Sequence, residues 1–138
     1  MKVINILLVE DDELDVMDIK RTLDKMKIVY SLNVAKSGED AIGFLREGDG
    51  SKNSFPDVVL IDINMPRMNG LEFLDIVRNT EGWQQLKCFI ITTSEYQVDK
   101  KIAQELGVSG YIVKPLKLNS PSSMDGFNLM IDLLNIKK

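Results

Sequence analysis

Histidine is absent from these 138 residues, and cysteine occurs once, at Cys88. The first absence excludes Ser-His-Asp and Cys-His catalysis, His-ligated zinc and a phosphohistidine on this chain. The second excludes an intrachain disulfide and a Cys-rich metal site. Cys88 lies inside the apolar run Leu86 to Ile91 and reads as a buried bystander, not a reactive thiol. Long apolar runs are also missing. Val3 to Val9 is too short to span a bilayer and leads straight into acids, unlike a signal peptide. A basic excess is lacking too: 17 Lys and Arg stand against 21 Asp and Glu, a net charge of −4. Such a chain offers no basic face to nucleic acid. The expectation is a cytoplasmic protein with neither a membrane nor a nucleic-acid partner. An apolar share of 44% and a charged share of 28% then fit one domain with a sizeable core.

What is present alternates. Val3 to Val9 is short, β-branched and bounded by charge, as a buried strand should be. Val16, Ile19, Leu23 and Met26 follow at helical spacing, after an acidic first turn in which Asp12 is a candidate N-cap. Ile28 to Ala35 predicts a second strand, and Ala41, Ile42 and Leu45 a second helix opened by Ser37-Gly38. The polar stretch 47–54 reads as a surface excursion. Val58 to Ile61 predicts a third strand, Leu71, Leu74 and Val77 a helix, and Leu86 to Ile91 a fourth strand. Val98, Ile102 and Leu106 mark the next helix, Gly110 to Val113 the fifth strand, and Phe127, Ile131 and Leu134 a closing helix. Continuous apolar strands between amphipathic helices imply a parallel sheet covered on both faces. Right-handed crossovers favour a doubly wound α/β sheet of five strands in the order 2-1-3-4-5.

Ligands of such sheets bind beyond the carboxyl ends of strands 1 and 3, where the winding reverses. Those strands finish in Glu10-Asp11 and in Asp62. Carboxylates crowded together repel one another, and a divalent cation is the usual resolution. An oxygen-only donor set favours a hard ion, and Mg²⁺ fits because it takes one or two carboxylates, a backbone carbonyl, waters and a phosphate oxygen. Asp12, Asp15 and Asp18 read instead as a solvated helix start. Asp62 ends an apolar strand and is the natural nucleophile for an incoming phosphoryl group. Lys114, between Val113 and Pro115, can supply an ammonium to the transferring oxygens, and Thr92 a hydrogen bond. Pro115 sets the turn after strand 5, where a cis bond from Lys114 would aim the amine. Gly70 can supply a positive φ before helix 3.

At this point the chain resembles the receiver domain of two-component response regulators, a flavodoxin-like architecture. The motifs are LLVEDD at 7–12, LIDINMPRMNG at 60–70, IITTS at 90–94 and GYIVKP at 110–115. Thr92 follows Asp62 by 30 residues and Lys114 follows it by 52, also as in the family. The resemblance implies that Asp62 is the phosphoacceptor. Asp11 and Asp62 would bind Mg²⁺ directly with the carbonyl of Asn64, and Glu10 would act through water. Thr92 and Tyr111 would form a switch pair that reshapes the surface of helix 4, strand 5 and helix 5. Partners dock there, and a homodimer through that face is the matching expectation. The donor would be a histidine kinase or a histidine phosphotransfer protein. Thr93 stands where a smaller residue is frequent, and Asn69 where Asp is usual. Asn64 and Ser94 occupy places that tune hydrolysis of the acyl phosphate. The polar loop and the TTS run are similar to the small receivers paired with bacterial phytochromes.

Taken as a single receiver without an output domain, the chain would be a phosphorylation-dependent switch and not a turnover enzyme. Two alternatives stand beside that expectation. A phosphorelay intermediate would pass the group on to a histidine phosphotransfer protein. A Mg²⁺-dependent aspartyl phosphatase would need a second carboxyl as general acid, but that place holds Asn64.

Overall fold

The computed structural model describes residues 3–25, 28–48 and 55–114. Along the chain run β1 (Ile4–Val9), α1 (Glu13–Lys25), β2 (Tyr30–Ala35), α2 (Gly38–Gly48) and β3 (Val58–Ile61). They are followed by α3 (Gly70–Arg78), β4 (Lys87–Thr92), α4 (Gln97–Glu105) and β5 (Gly110–Val113). The strands form one parallel sheet in the order β2-β1-β3-β4-β5, as the alternating pattern predicts.

Strand alternation builds two cores, one on each face of the sheet. Ile6 and Leu8 of β1, Val58 and Leu60 of β3, Phe89 and Ile91 of β4 and Ile112 of β5 pack against Ile19 and Leu23 of α1. Their neighbours Leu7, Val9, Val59, Ile61, Cys88 and Ile90 point the other way, onto Ala41 and Leu45 of α2, Leu74 and Val77 of α3 and Ala103 of α4. Cys88 is fully buried, as expected of a bystander. No helix among the described residues is long and apolar enough to cross a membrane.

Several expectations need correction. Glu47 and Gly48 belong to α2, not to the polar excursion, and 49–54 lie outside the described residues. Pro115, its peptide bond and the closing helix also lie outside them. As an edge strand, β2 is buried throughout only at Ala35. On α4 the predicted apolar stripe packs only in part: Leu106, just past its end, lies against the core, but Val98 is 68% and Ile102 38% exposed, while Ala103 is fully buried. A small residue brings the helix close, and the larger side chains are left on its outer surface.

Gly70 is needed for space, not for a positive φ. That backbone conformation falls to Arg67, at φ 67°. A Cβ on Gly70 would stand 2.2 Å from the Asp62 carbonyl oxygen. α3 starts there because Asn69 caps it: its side chain accepts from the Glu72 amide at 2.9 Å, and Glu72 Oε1 accepts from the Asn69 amide at 3.1 Å. The Asn in place of the family's usual Asp thus keeps the capping function. The Gly70 amide also donates to the Ile63 carbonyl at 3.0 Å, so the start of α3 is tied to the segment beyond β3.

Candidate functional site

Each strand that ends in a reactive residue is held to its neighbour by one further backbone bond. The Glu10 amide donates to Ala35 O at 2.9 Å, that of Asp62 to Val9 O at 3.0 Å and that of Lys114 to Thr92 O at 2.8 Å. The ladder thus runs one residue past the apolar runs and delivers polar side chains to one rim. Glu10, Asp11 and Asp62 bring carboxylate oxygens within 4.8 Å of one another. Glu10 and Asp62 are buried there, whereas Asp11 is exposed.

Lys114 enters this cluster from the end of β5. Its Nζ lies 2.5 Å from Glu10 Oε1, 2.9 Å from Asp15 Oδ2 and 3.6 Å from Asp62 Oδ2. Burial favours the neutral amine, but the hydrogen bonds it donates to Glu10 and Asp15 and the charge of Asp62 outweigh it and hold the lysine pKa above its ordinary value. Burial pushes the Glu10 carboxyl up to about 7, against the pull of Lys114 and with the help of the neighbouring Asp62 charge. Among the described residues, Glu10, Asp15 and Asp62 thus surround the Lys114 ammonium, and Asp11 adds a further carboxylate beside Glu10 and Asp62. An all-oxygen donor set with an excess of negative charge suits a hard divalent cation.

Thr92, the last residue of β4, is fully buried. Its hydroxyl oxygen accepts from Asn64 Nδ2 and from the Ser94 amide, each at 3.3 Å. Asn64 also donates to the exposed Thr93 hydroxyl at 3.2 Å, while its backbone amide donates to Asp62 Oδ1 at 3.2 Å. A hydroxyl has two lone pairs and one proton. With both lone pairs engaged, the Thr92 proton is the group left to donate. Beyond it, Ser94 Oγ donates to Asp99 Oδ2 at 2.6 Å and Tyr111 OH donates to the Ser94 carbonyl at 3.0 Å. The Tyr111 ring is half-buried on the α3–α4 side of the sheet, with Lys100 Nζ 5.7 Å from its centroid. Burial raises the Tyr111 pKa.

The rim thus gathers Glu10, Asp11, Asp62, Asn64, Thr92 and Lys114. Tyr111 joins it through Ser94. Asp12 takes its expected place as cap, with Oδ1 accepting from the Leu14 amide at 2.8 Å. Asp15 does not stay in the solvated helix start: it reaches Lys114. Nothing local in the sequence separates it from Asp18, whose partner is the exposed Arg21.

Acids beyond β1 and β3, a hydroxyl ending β4 and an amine ending β5 define a phosphoryl-receiver architecture on a doubly wound sheet. The chain belongs to the response regulator receiver domain family, whose model matches residues 6–129. It is therefore a receiver of two-component signalling. It is similar to the probable methanogenesis regulatory protein FilR2 of Methanothrix harundinacea, at 31% identity over 80% of this chain and 72% of that protein. Among solved structures it resembles the Mn²⁺-bound response regulator Rcp1, with TM-score 0.76 and 26% identity over 97% of this chain and 95% of that one. The phosphorylated cyanobacterial phytochrome response regulator RcpA matches with TM-score 0.78 and 25% identity, covering 99% of this chain and 98% of that one. The expected likeness to phytochrome-linked receivers agrees with these findings.

Proposed function

We propose that this receiver is a phosphorylation-dependent switch in which Asp62 accepts a phosphoryl group from a histidine kinase or a histidine phosphotransfer protein. One observation carries the reading: carboxylates of Glu10, Asp11 and Asp62 within 4.8 Å, beside an ammonium 3.6 Å from Asp62. Asp11, Asp62 and the Asn64 carbonyl would hold Mg²⁺, with Glu10 acting through water. Bound there, the ion supplies positive charge to the phosphoryl oxygens. Asp62 attacks phosphorus as its bond to the donor imidazole breaks, leaving an acyl phosphate on this chain. Lys114 pairs with one new oxygen, and the Thr92 hydroxyl donates its remaining proton to another. Once Thr92 moves inward, Ser94 and then Tyr111 follow, because the Ser94 amide and carbonyl link the two side chains.

The exposed Tyr96 just before α4 and Val98 and Ile102 on it support a partner surface beside this relay. An aspartyl phosphatase is disfavoured, because the Asn64 amide has no acidic proton to give and is spent on two threonine hydroxyls. The test is labelling by acetyl phosphate in the presence of Mg²⁺. Wild type should take up one phosphoryl group and Asp62→Asn none; equal labelling of the two would refute the assignment.

A further inference from the structure

We propose that Asp15 is a positioning residue for Lys114: a tether on the first turn of α1 that holds the ammonium until a phosphoryl group on Asp62 draws it away. The inference rests on the reading of Asp62 as phosphoacceptor and adds a residue to it. An ammonium has three protons to give. Glu10 takes one at 2.5 Å and Asp15 a second at 2.9 Å, while Asp62 Oδ2, at 3.6 Å, is beyond hydrogen-bond reach. The ammonium is thus bound to the acids of β1 and α1 and only near the acid of β3.

Geometry makes Asp15 the partner that is surrendered. Glu10 is 1% exposed, so bulk solvent has little access to its carboxylate beyond the water that would join it to a bound Mg²⁺. The Asp15 side chain is 34% exposed and can be rehydrated when the lysine leaves. Its aim comes from the local fold. The Asp12 side chain accepts from the Leu14 and Asp15 amides, which fixes the start of α1 beside the end of β1. Leu14 then faces solvent and Asp15 faces the rim. The neighbouring acids Glu13 and Asp18 are 83% and 69% exposed and pair with the surface residues Lys36 and Arg21. Asp15 alone among these three meets Lys114.

Beryllofluoride titration with Mg²⁺ gives the test, because the complex mimics a phosphoryl group without turnover. Losing one charge-assisted bond that competes with the mimic should tighten its binding to Asp15→Asn roughly tenfold. In a Lys114→Ala background the same substitution should change the affinity less than about twofold. Asp18→Asn, which removes an equal charge one turn on, should leave it unchanged. With no metal present, the Lys114 Cε NMR shift should move in Asp15→Asn and not in Asp18→Asn. An unchanged affinity in Asp15→Asn, or an equal gain with and without Lys114, overturns the tether. If wild type binds the mimic and Asp62→Asn does not, such a failure falls on Asp15 alone. A wild type that binds none removes the phosphoacceptor reading and the tether with it.

Discussion

Gly70→Ala adds one methyl group where α3 passes nearest to the end of β3. In an ordinary helix this exchange stabilises by about 0.5–1 kcal/mol, because glycine loses more backbone freedom on folding. Here the new Cβ would meet the Asp62 carbonyl oxygen at 2.2 Å, Ile61 Cγ2 at 2.7 Å and the Asp62 carbonyl carbon at 2.9 Å. Normal carbon contact needs another ångström or so, roughly, and the nearest obstacle is backbone that cannot rotate aside. Overpacking of a close-packed site costs about 1–3 kcal/mol, and a backbone obstacle belongs at the top of that range. Subtracting the helix gain leaves a net loss of about 2 kcal/mol, or a fall in Tm of roughly 8 °C for a domain of this size. Gly43 is the internal control. It lies in α2 with nothing within 4 Å of its would-be Cβ, so Gly43→Ala should gain about 0.5–1 kcal/mol. Urea unfolding followed by the fluorescence of the buried Trp83 measures both variants. Because the displaced group is the backbone of Asp62 itself, acetyl phosphate labelling of Gly70→Ala should also slow by about tenfold or more. A Gly70→Ala protein with wild-type midpoint and wild-type labelling rate would refute the close approach.

Arg78 donates to the carbonyls of Leu106 at 2.7 Å, Leu86 at 2.8 Å, and Gln84 and Gly107 at 3.2 Å, joining the end of α4 to the start of β4. Arg78→Ala should cost about 2–3 kcal/mol in urea unfolding, and Arg78→Lys should recover less than half, since an ammonium lacks the planar fork. Burial pushes the Cys88 thiol up to about 11 from its ordinary 9.0. Folding thus holds the proton that the unfolded chain releases first, so this contribution is intact below pH 9 and is lost as pH rises towards 11. Between pH 8 and pH 10 wild type should lose roughly 1 kcal/mol more stability than Cys88→Ala, and native Cys88 should resist iodoacetamide until the chain unfolds.

The sheet was legible because its signal is local. Val58 to Ile61 and Cys88 to Ile91 are apolar at every position and short, which together suit a strand covered on both faces. Glu10, Asp62, Thr92 and Lys114 were legible for the same reason: each follows or closes such a run, and parallel strands bring those ends together. The helix period was less informative. Val98, Ile102 and Leu106 correctly announced α4, but a period of 3.6 residues does not say how much of the stripe is covered, and here Ala103 and Leu106 make the contact. At Gly70 the residue type was right and the reason was not. A positive φ and a missing Cβ both call for glycine, and only the position of the Asp62 carbonyl distinguishes them.

Asp15 shows where local signals end. An acid near the start of a helix needs no partner to explain it: Asp12 caps α1, Glu13 and Asp15 sit in its first turn where the helix dipole favours them, and Asp18 follows one turn on. Their fates differ because of a lysine 99 residues beyond Asp15, at the end of β5. That lysine reaches α1 only because β1 and β5 flank β3 and β4 in one parallel sheet and both end at the same rim. The fold therefore turns one member of a generic acidic run into a partner for the lysine beside Asp62. An acid at this point is also a competitor. On the proposed reading it lowers the cost of burying the ammonium while the site waits, and it would have to be released before Lys114 could fully engage the phosphoryl oxygens. The same contact that holds the ammonium in the resting site would then set a threshold for switching it.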